Sequence, residues 1–346
     1  MKMDSKPNVL KIHKSLMQEL GVHMSDAGMR GKALLVTDST VWGLYGKPVE
    51  EAMGLFGKHR VEMINDNTIA YAFSLAERVI ATDVDWVIGF GGGRPVDVAK
   101  YAAYIAKKPF CSIPTTVAND GLASPIAVLK RRDGLPKSLG CAMPKCTFLD
   151  LDVVCAGPKD LIRAGIGDTI SNLTALSDWD LACARGRDVM NDYAYLMSRD
   201  SLSMLMSSMY SYMDAEFVSL LANSLVLSGI AMDFAGTSRP VSGSEHCFSH
   251  ALDMHGNSHN PHGIQVALGS VAVLELTDRD SASVREYLSR FDVGINPMRL
   301  GITKDEFVYC FQNASAMRPG RYTCLDEADL SKNHLIDLYD RLVKEL

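Results

Sequence analysis

From residue 32 to about 115 the chain alternates short β-branched apolar runs with longer helical stretches, the pattern a doubly wound parallel sheet leaves in a sequence. Parallel strands buried on both faces need nearly unbroken apolar residues, and each crossover between them needs a helix. Lys32 to Thr37 (KALLVT) reads as a buried strand, Pro48 to Phe56 as a helix opened by its proline, Arg60 to Ile64 as a strand and Thr68 to Ile80 as a helix. Val84 to Phe90 is the next strand. It runs into Gly91-Gly92-Gly93, after which Pro95 sits where a first helical turn tolerates it and VDVAKYAAYIAKK continues as helix. Phe110 to Pro114 closes the series. Between 124 and 150 an Asp133-Gly134 turn signal separates two apolar runs, so a hairpin and one last strand are expected. Beyond Pro158 the apolar spacing is three to four, which predicts an all-helical second domain. The expected division is residues 1–155 and 156–346. Met197, Met204, Met206, Met209 and Met213 fall at helical spacing and read as core filling.

With 346 residues, 47% of them hydrophobic, the chain has material for two cores. Its 35 Lys and Arg against 41 Asp and Glu leave a net charge of −6, without the basic footprint that nucleic acid or an anionic membrane surface requires. A small molecule is the ligand class that remains. Eight cysteines without a C-x-x-C pair give neither a disulfide framework nor a zinc ribbon and point to a reducing compartment. The segment MKMDSKPNVLKIHKS lacks the apolar core of a secretory signal, and no uninterrupted apolar run reaches the ~18 residues of a membrane span. A cytoplasmic protein without membrane insertion is expected. The apolar stretches of the helical half favour a homo-oligomer.

Five of the nine histidines (His246, His250, His255, His259 and His262) lie within one short segment, a density that points to a metal or acid–base site. A zinc centre needs neutral imidazoles and a carboxylate on rigid elements with one position left open. His246 lies on the predicted helix SEHCFSHALD and His262 opens another, HGIQVALGSVAVLEL, so an antiparallel helix pair would join their rings. His250, one turn from His246, is a third ligand, a proton relay or a hydrogen-bond donor to a ligand. His255 and His259 fall in the connection DMHGNSHNP and read as solvated loop. Asp168 in AGIGDTISN follows two glycines and is either the missing carboxylate or the N-cap of a helix it begins.

The cluster Gly89-Phe90-Gly91-Gly92-Gly93-Arg94 lies between strand and helix, where backbone N–H groups and a helix N-terminus hold phosphate. Asp38, ending the first strand in VTDST, is placed either to accept from an adenosine ribose or to cap the next helix. A carboxylate there repels a 2′-phosphate and favours NAD, with NADP as the alternative. Thr115 and Thr116 follow the strand FCSIP and either donate to phosphate or nicotinamide or cap the loop.

The strings GFGGGRPVDVAK, SIPTTVANDGLASP, AGIGDTISNLTALSDWDLA, SGIAMDFAGTSRPVSGSEHCFSHALD and HGIQVALG, in this order over about residues 32 to 275, resemble the glycerol-1-phosphate dehydrogenase branch of the superfamily of iron-containing alcohol dehydrogenases, glycerol dehydrogenases and dehydroquinate synthases. The resemblance implies an N-terminal Rossmann-like nucleotide-binding α/β domain joined to an all-α metal-binding domain. It implies Asp168, His246 and His262 as metal ligands, Gly91, Gly92 and Gly93 as the pyrophosphate loop, Asp97 and Thr116 as cofactor-side positions, and Asp120 as a carboxylate beside the substrate hydroxyls. Iron-type relatives carry a further histidine where this chain has Asn172, so zinc is implied, with iron or nickel as alternatives. The implied reaction is NAD(H)-dependent interconversion of dihydroxyacetone phosphate and sn-glycerol 1-phosphate, with the ion polarising the carbonyl and His250 or water exchanging the proton. Arg239, Lys130 and Arg131 are candidate phosphate donors. Asn119 stands where relatives have the histidine of HDG, and Ile264 where they have the glutamate of HGEQV. An unphosphorylated polyol such as glycerol is therefore an alternative substrate, and a metal- and NAD-dependent cyclase of the dehydroquinate synthase kind an alternative activity.

Overall fold

The computed structural model describes residues 9–255 and 260–344. The first compact unit comprises residues 1–158 and Asp214–Ala222, and the second Lys159–Met213 and Asn223–Leu346. His259, read above as solvated loop, lies outside the described residues.

In the first unit, β1 (Val9–His13) leads through a 3₁₀ turn (Leu16–Glu19) into α1 (Leu20–Asp26). There follow β2 (Lys32–Thr37), α2 (Ser39–Met53), β3 (Lys58–Met63), α3 (Ile69–Ala81), β4 (Trp86–Gly91), α4 (Gly93–Ala106) and β5 (Phe110–Pro114). A second 3₁₀ turn (Asp120–Ala123) precedes the hairpin β6 (Ile126–Lys130) and β7 (Pro136–Gly140), and then come β8 (Cys146–Asp150) and α5 (Leu151–Ala156). Six strands form one parallel sheet in the order β1-β8-β5-β4-β2-β3. Helices cover both faces. One core joins Leu34, Val36 and Val87 to α3 and α4; the other joins Leu35, Ile88 and Phe90 to α1 and α2. β4, β5 and β8 are buried almost throughout, as their apolar runs require, whereas the edge strand β3 (KHRVEM) carries charges that blunt its free edge.

Chain order against sheet order reverses between β2 and β4, which makes the crevice at their C-terminal ends the topological switch point of the sheet. Asp38 and the glycine run Gly91–Gly93 flank it.

The helix expected to open at Pro48 instead begins at Ser39 and contains Pro48. The Asp38 side chain caps it, accepting from Thr40 N at 2.9 Å and Val41 N at 3.0 Å, so the helix starts nine residues earlier. Two glycines, Gly43 and Gly46, weaken the apolar period over that first half. β1 was not anticipated. Its five residues, VLKIH, carry no turn signal and mix charge with apolar residues, as an edge strand does.

The second unit is built from α6 (Lys159–Ile170), α7 (Asn172–Ala184), α8 (Asp192–Met206), α10 (Ser244–His255), α11 (His262–Leu276), α12 (Ala282–Arg290), α13 (Lys304–Asn313) and α14 (Lys332–Lys344), together with the larger part of α9 (Ala215–Ala235). Its centre is α11, thirteen of whose fifteen residues are buried, as a helix apolar on every side must be. Among the described residues α9 alone is long and apolar enough to cross a membrane, yet most of it is buried within the protein. The methionine stripe does not fill the core. Met197 and Met204, both on α8, line a cavity of about 380 Å³ with Leu227, and Met209, beyond the end of that helix, is 91% exposed.

Candidate metal centre

Asp168 lies in the last turn of α6, not at a helix start as the preceding glycines led us to expect. Gly167 serves another purpose. A side chain on Gly167 would collide with the carbonyl of Gly263, and one on Gly263 would collide with the carbonyl of Ala164, so α6 and α11 approach backbone to backbone. Each glycine adjoins a candidate ligand, Asp168 on one helix and His262 on the other. The close crossing sets the distance between them.

His246 stands on α10 and His262 opens α11, with ring centroids 4.9 Å apart. One ligand atom each from Asp168, His246 and His262 lies within 4.8 Å of the others, and His262 Nε2 is 3.9 Å from Asp168 Oδ1. Hydrogen bonds fix which nitrogen each ring offers. His246 Nδ1 lies 2.8 Å from Glu245 Oε1, a buried carboxylate that can only accept from it; the same carboxylate is held by Gly243 N at 2.7 Å and Thr174 Oγ1 at 2.6 Å. His262 Nδ1 donates to Ser249 Oγ at 3.1 Å, because the Ser249 hydroxyl proton is already given to Gln265 Oε1 at 2.7 Å. Gln265 is anchored in turn by Asp253 and the Asn260 carbonyl, both at 3.2 Å. With both Nδ1 protons committed, both Nε2 atoms present lone pairs, the arrangement seen around metal-binding imidazoles.

The electrostatics agree. Burial and the guanidinium groups of Arg318 and Arg321 lower His246 to about 3; burial, His246 and Arg318 lower His262 to about 3. Both rings are therefore neutral at pH 7, as ligands must be. His246 and Asp168 form the buried wall, while 31% of the His262 side chain remains exposed, so the group is open on that side. Replacing Glu245 by glutamine would keep the shape but remove the charge that holds His246 Nδ1–H. We expect metal affinity to fall about 10- to 100-fold in a chelator competition, with the circular dichroism spectrum unchanged.

Around this group the structure brings together residues the sequence reading did not single out. Arg318 Nη2 donates to His250 Nε2 at 3.0 Å, and Arg321 holds Ser238 Oγ at 3.0 Å. Burial keeps Arg318 below its ordinary range and Arg321 at about 10. Among the described residues no carboxylate lies within ion-pair distance of either. Arg239, by contrast, is spent on Asp188 (2.6 Å) and the Tyr322 carbonyl (2.7 Å), and Arg131 pairs with Asp133 in the hairpin turn beyond Lys130. Asn172 turns its Nδ2 to Ser228 Oγ (2.9 Å) and Ser201 Oγ (3.4 Å). His255 lies 3.5 Å from Glu306 and edge-on to Tyr309.

In the first unit, Gly91 takes φ +140 and contacts Pro95, and Gly92 caps α4. A Cβ on Gly92 or Gly93 would have no protein atom within 4 Å, so the backbone at the start of α4 is open. Asp38 Oδ1 is taken by its capping bonds, while Oδ2 faces Gly91, 3.6 Å from where a Cβ would stand. Thr115 N binds the Gly91 carbonyl at 2.9 Å, and Thr116 follows on the same loop. Asp97 is tied to the hairpin and to its own helix. Its Oδ2 accepts from Val128 N at 3.1 Å and its Oδ1 lies 3.5 Å from Lys100 Nζ. Lys100, only 1% exposed, also donates to the carbonyls of Gly121 and Ile126, both at 2.7 Å, and so ties α4 to the turn that begins with Asp120. Burial raises the Asp120 carboxyl to about 6, against the pull of Lys100 and with the push of Asp97.

The first unit thus sets a glycine loop at the switch point of a parallel sheet, and the second gathers one carboxylate and two imidazoles. A family model described as iron-containing alcohol dehydrogenase matches residues 11–158. The chain is 35% identical to the glycerol-1-phosphate dehydrogenase [NAD(P)+] of Hyperthermus butylicus over 88% of each chain, and 34% identical to that of Thermofilum pendens over 94% of each. The crystal structure of glycerol dehydrogenase from Schizosaccharomyces pombe shares the fold, with a TM-score of 0.76 at 19% identity over 99% of this chain and 90% of that one. The chain belongs to the glycerol-1-phosphate dehydrogenase family of the iron-containing alcohol dehydrogenases.

Proposed function

We propose that this protein is a metal- and NAD(P)(H)-dependent oxidoreductase that interconverts dihydroxyacetone phosphate and sn-glycerol 1-phosphate, with zinc as its ion and NAD(H) as its preferred dinucleotide. The observation that carries the reading is the convergence of Asp168, His246 and His262 with both imidazole Nε2 lone pairs set free by hydrogen bonds at Nδ1. That donor set, two neutral nitrogens and one carboxylate, fits a borderline divalent ion with a position left for substrate. A divalent ion there supplies Lewis acidity toward the substrate oxygen, and a nicotinamide supplies or accepts the hydride.

The chain's own residues do the rest. Gly92 and Gly93 open the N-terminus of α4 to a pyrophosphate, and Asp38 Oδ2 offers an acceptor for a ribose hydroxyl, which favours NAD(H). Asp120, as a carboxylate, orients a substrate hydroxyl. His250, whose Nε2 accepts from Arg318, keeps Nδ1–H as a donor; this supports a hydrogen-bonding part for it, and its part in proton exchange with water is proposed on the same geometry. Arg318 and Arg321, unmatched by carboxylates, suit the substrate phosphate. The eight free cysteines support a cytoplasmic location.

The test is a spectrophotometric NADH panel with dihydroxyacetone phosphate and dihydroxyacetone, run before and after chelation and zinc re-addition. Turnover of the phosphorylated ketone, lost on chelation and restored by zinc, is expected; equal turnover of dihydroxyacetone would overturn the substrate assignment. In Arg318→Met the KM for dihydroxyacetone phosphate should rise about 10- to 100-fold, the worth of a charge-assisted hydrogen bond, while that for dihydroxyacetone stays put.

A further inference from the structure

A second group of metal-ligating side chains lies in the first unit, on residues that the proposed reaction does not use. His13 ends β1, Glu19 ends the 3₁₀ turn and His23 lies on α1, and one ligand atom from each falls within 4.8 Å of the others. The two imidazoles meet Nε2 to Nε2 at 3.2 Å, and His23 Nε2 is 3.6 Å from Glu19 Oε2. With metal–ligand bonds of about 2.0–2.1 Å, the corners of a tetrahedron lie about 3.3–3.4 Å apart, so both separations are close to the edges of a zinc polyhedron.

The rings are also oriented for it. His13 Nδ1 donates to the Lys14 carbonyl at 2.9 Å, which leaves its Nε2 as a lone pair aimed at His23. The His23 ring stacks on Phe148 of β8, with centroids 6.3 Å apart and planes at 22°, and only 12% of its side chain is exposed. Without an ion a single N–H···N bond satisfies the pair. When an ion binds, the His23 proton moves to Nδ1 and no proton need be released. Glu19, 66% exposed, supplies the carboxylate and leaves the fourth corner to water.

We propose that His13, Glu19 and His23 form a second zinc site, a staple that fastens the edge strand β1 to α1. It stands apart from the Asp168 centre and does not rest on the proposed reaction. Because β1 pairs, among the described residues, with β8 alone, an ion joining its last residue to the helix secures the sheet edge there.

The experiment counts metal in the full-length holoprotein by elemental analysis and follows Co²⁺ titration by its visible absorption. Wild type should hold two equivalents, His262→Ala one, His13→Gln one and the double variant none. His13→Gln should keep full turnover and lose several degrees of zinc-dependent thermal stabilisation. Glu19→Gln, a substitution on the surface, should weaken cobalt binding at this site at least tenfold with the fold intact. A wild type with one equivalent that His13→Gln does not change, or a His262→Ala protein that binds no Co²⁺, would overturn the staple. Failure of the proposed catalytic centre would show instead as metal content indifferent to His262→Ala.

Discussion

Substitution of His262 by alanine is expected to lower turnover of dihydroxyacetone phosphate by about 10³-fold or more, the scale on which the loss of one preorganised charge-stabilising group acts. The change removes one of the three atoms that converge at the centre among the described residues and leaves the remaining Nε2 and carboxylate with too few partners to hold an ion tightly. The fold should survive. His262 is the first residue of α11, the Ser249 hydroxyl keeps its bond to Gln265, and the one hydrogen bond lost is worth about 1 kcal/mol. The measurement pairs kcat/KM with metal content and a thermal melt. Metal and activity should fall together while the melt moves by a few degrees. His255→Ala is the control, because that ring is engaged by Glu306 and Tyr309 and should leave both readouts unchanged. Retained turnover in His262→Ala would remove this residue from the centre.

The sheet was legible because buried parallel strands have nowhere to hide their composition. KALLVT and FCSIP could be bounded to the residue. So could the start of α11, where Pro261 and the run after His262 announce a helix. What the sequence concealed depends on contacts distant along the chain. The glycines before Asp168 look like a loop leading to a cap, yet the second of them, Gly167, faces a helix some hundred residues further on, whose backbone passes where its side chain would be. A helix propensity argument counts them as breaks; tertiary packing makes them interior. Arg318 and Arg321 carry no motif and become interesting only when folding places them near the histidines with no described carboxylate within ion-pair distance. Asp38 shows that two readings of one residue need not compete: one oxygen caps α2 and the other faces the glycine loop.

Lys100 is the residue whose removal should disturb the first unit most. It follows Asp97 by three positions on a helix buried almost all round, and that placement of a cation was the signal available in the sequence. In the fold its ammonium satisfies two carbonyls and faces the part-buried carboxyls of Asp97 and Asp120. Lys100→Met would leave those carboxyls without an opposing charge, at a cost of about 3–5 kcal/mol. The pH dependence follows from the direction of the shifts. A carboxyl whose pKa is higher folded than unfolded favours folding while protonated; that contribution is present below the unfolded value and is lost as pH rises through the folded one. For Asp120, lifted to about 6 in the native state, the loss is complete just above that pH. Without Lys100 the native value climbs further, so the gap in melting temperature between wild type and Lys100→Met should widen from pH 5 to pH 8. If Asp120 must be ionised to accept the substrate hydroxyl, kcat/KM of the wild type should fall off on the acid side near pH 6, and the same limb in Lys100→Met should move to higher pH. An acid limb at the same position in both proteins, with the melting gap constant across this range, would show that Lys100 holds the loop only by its two carbonyl bonds and that its charge does not govern Asp120.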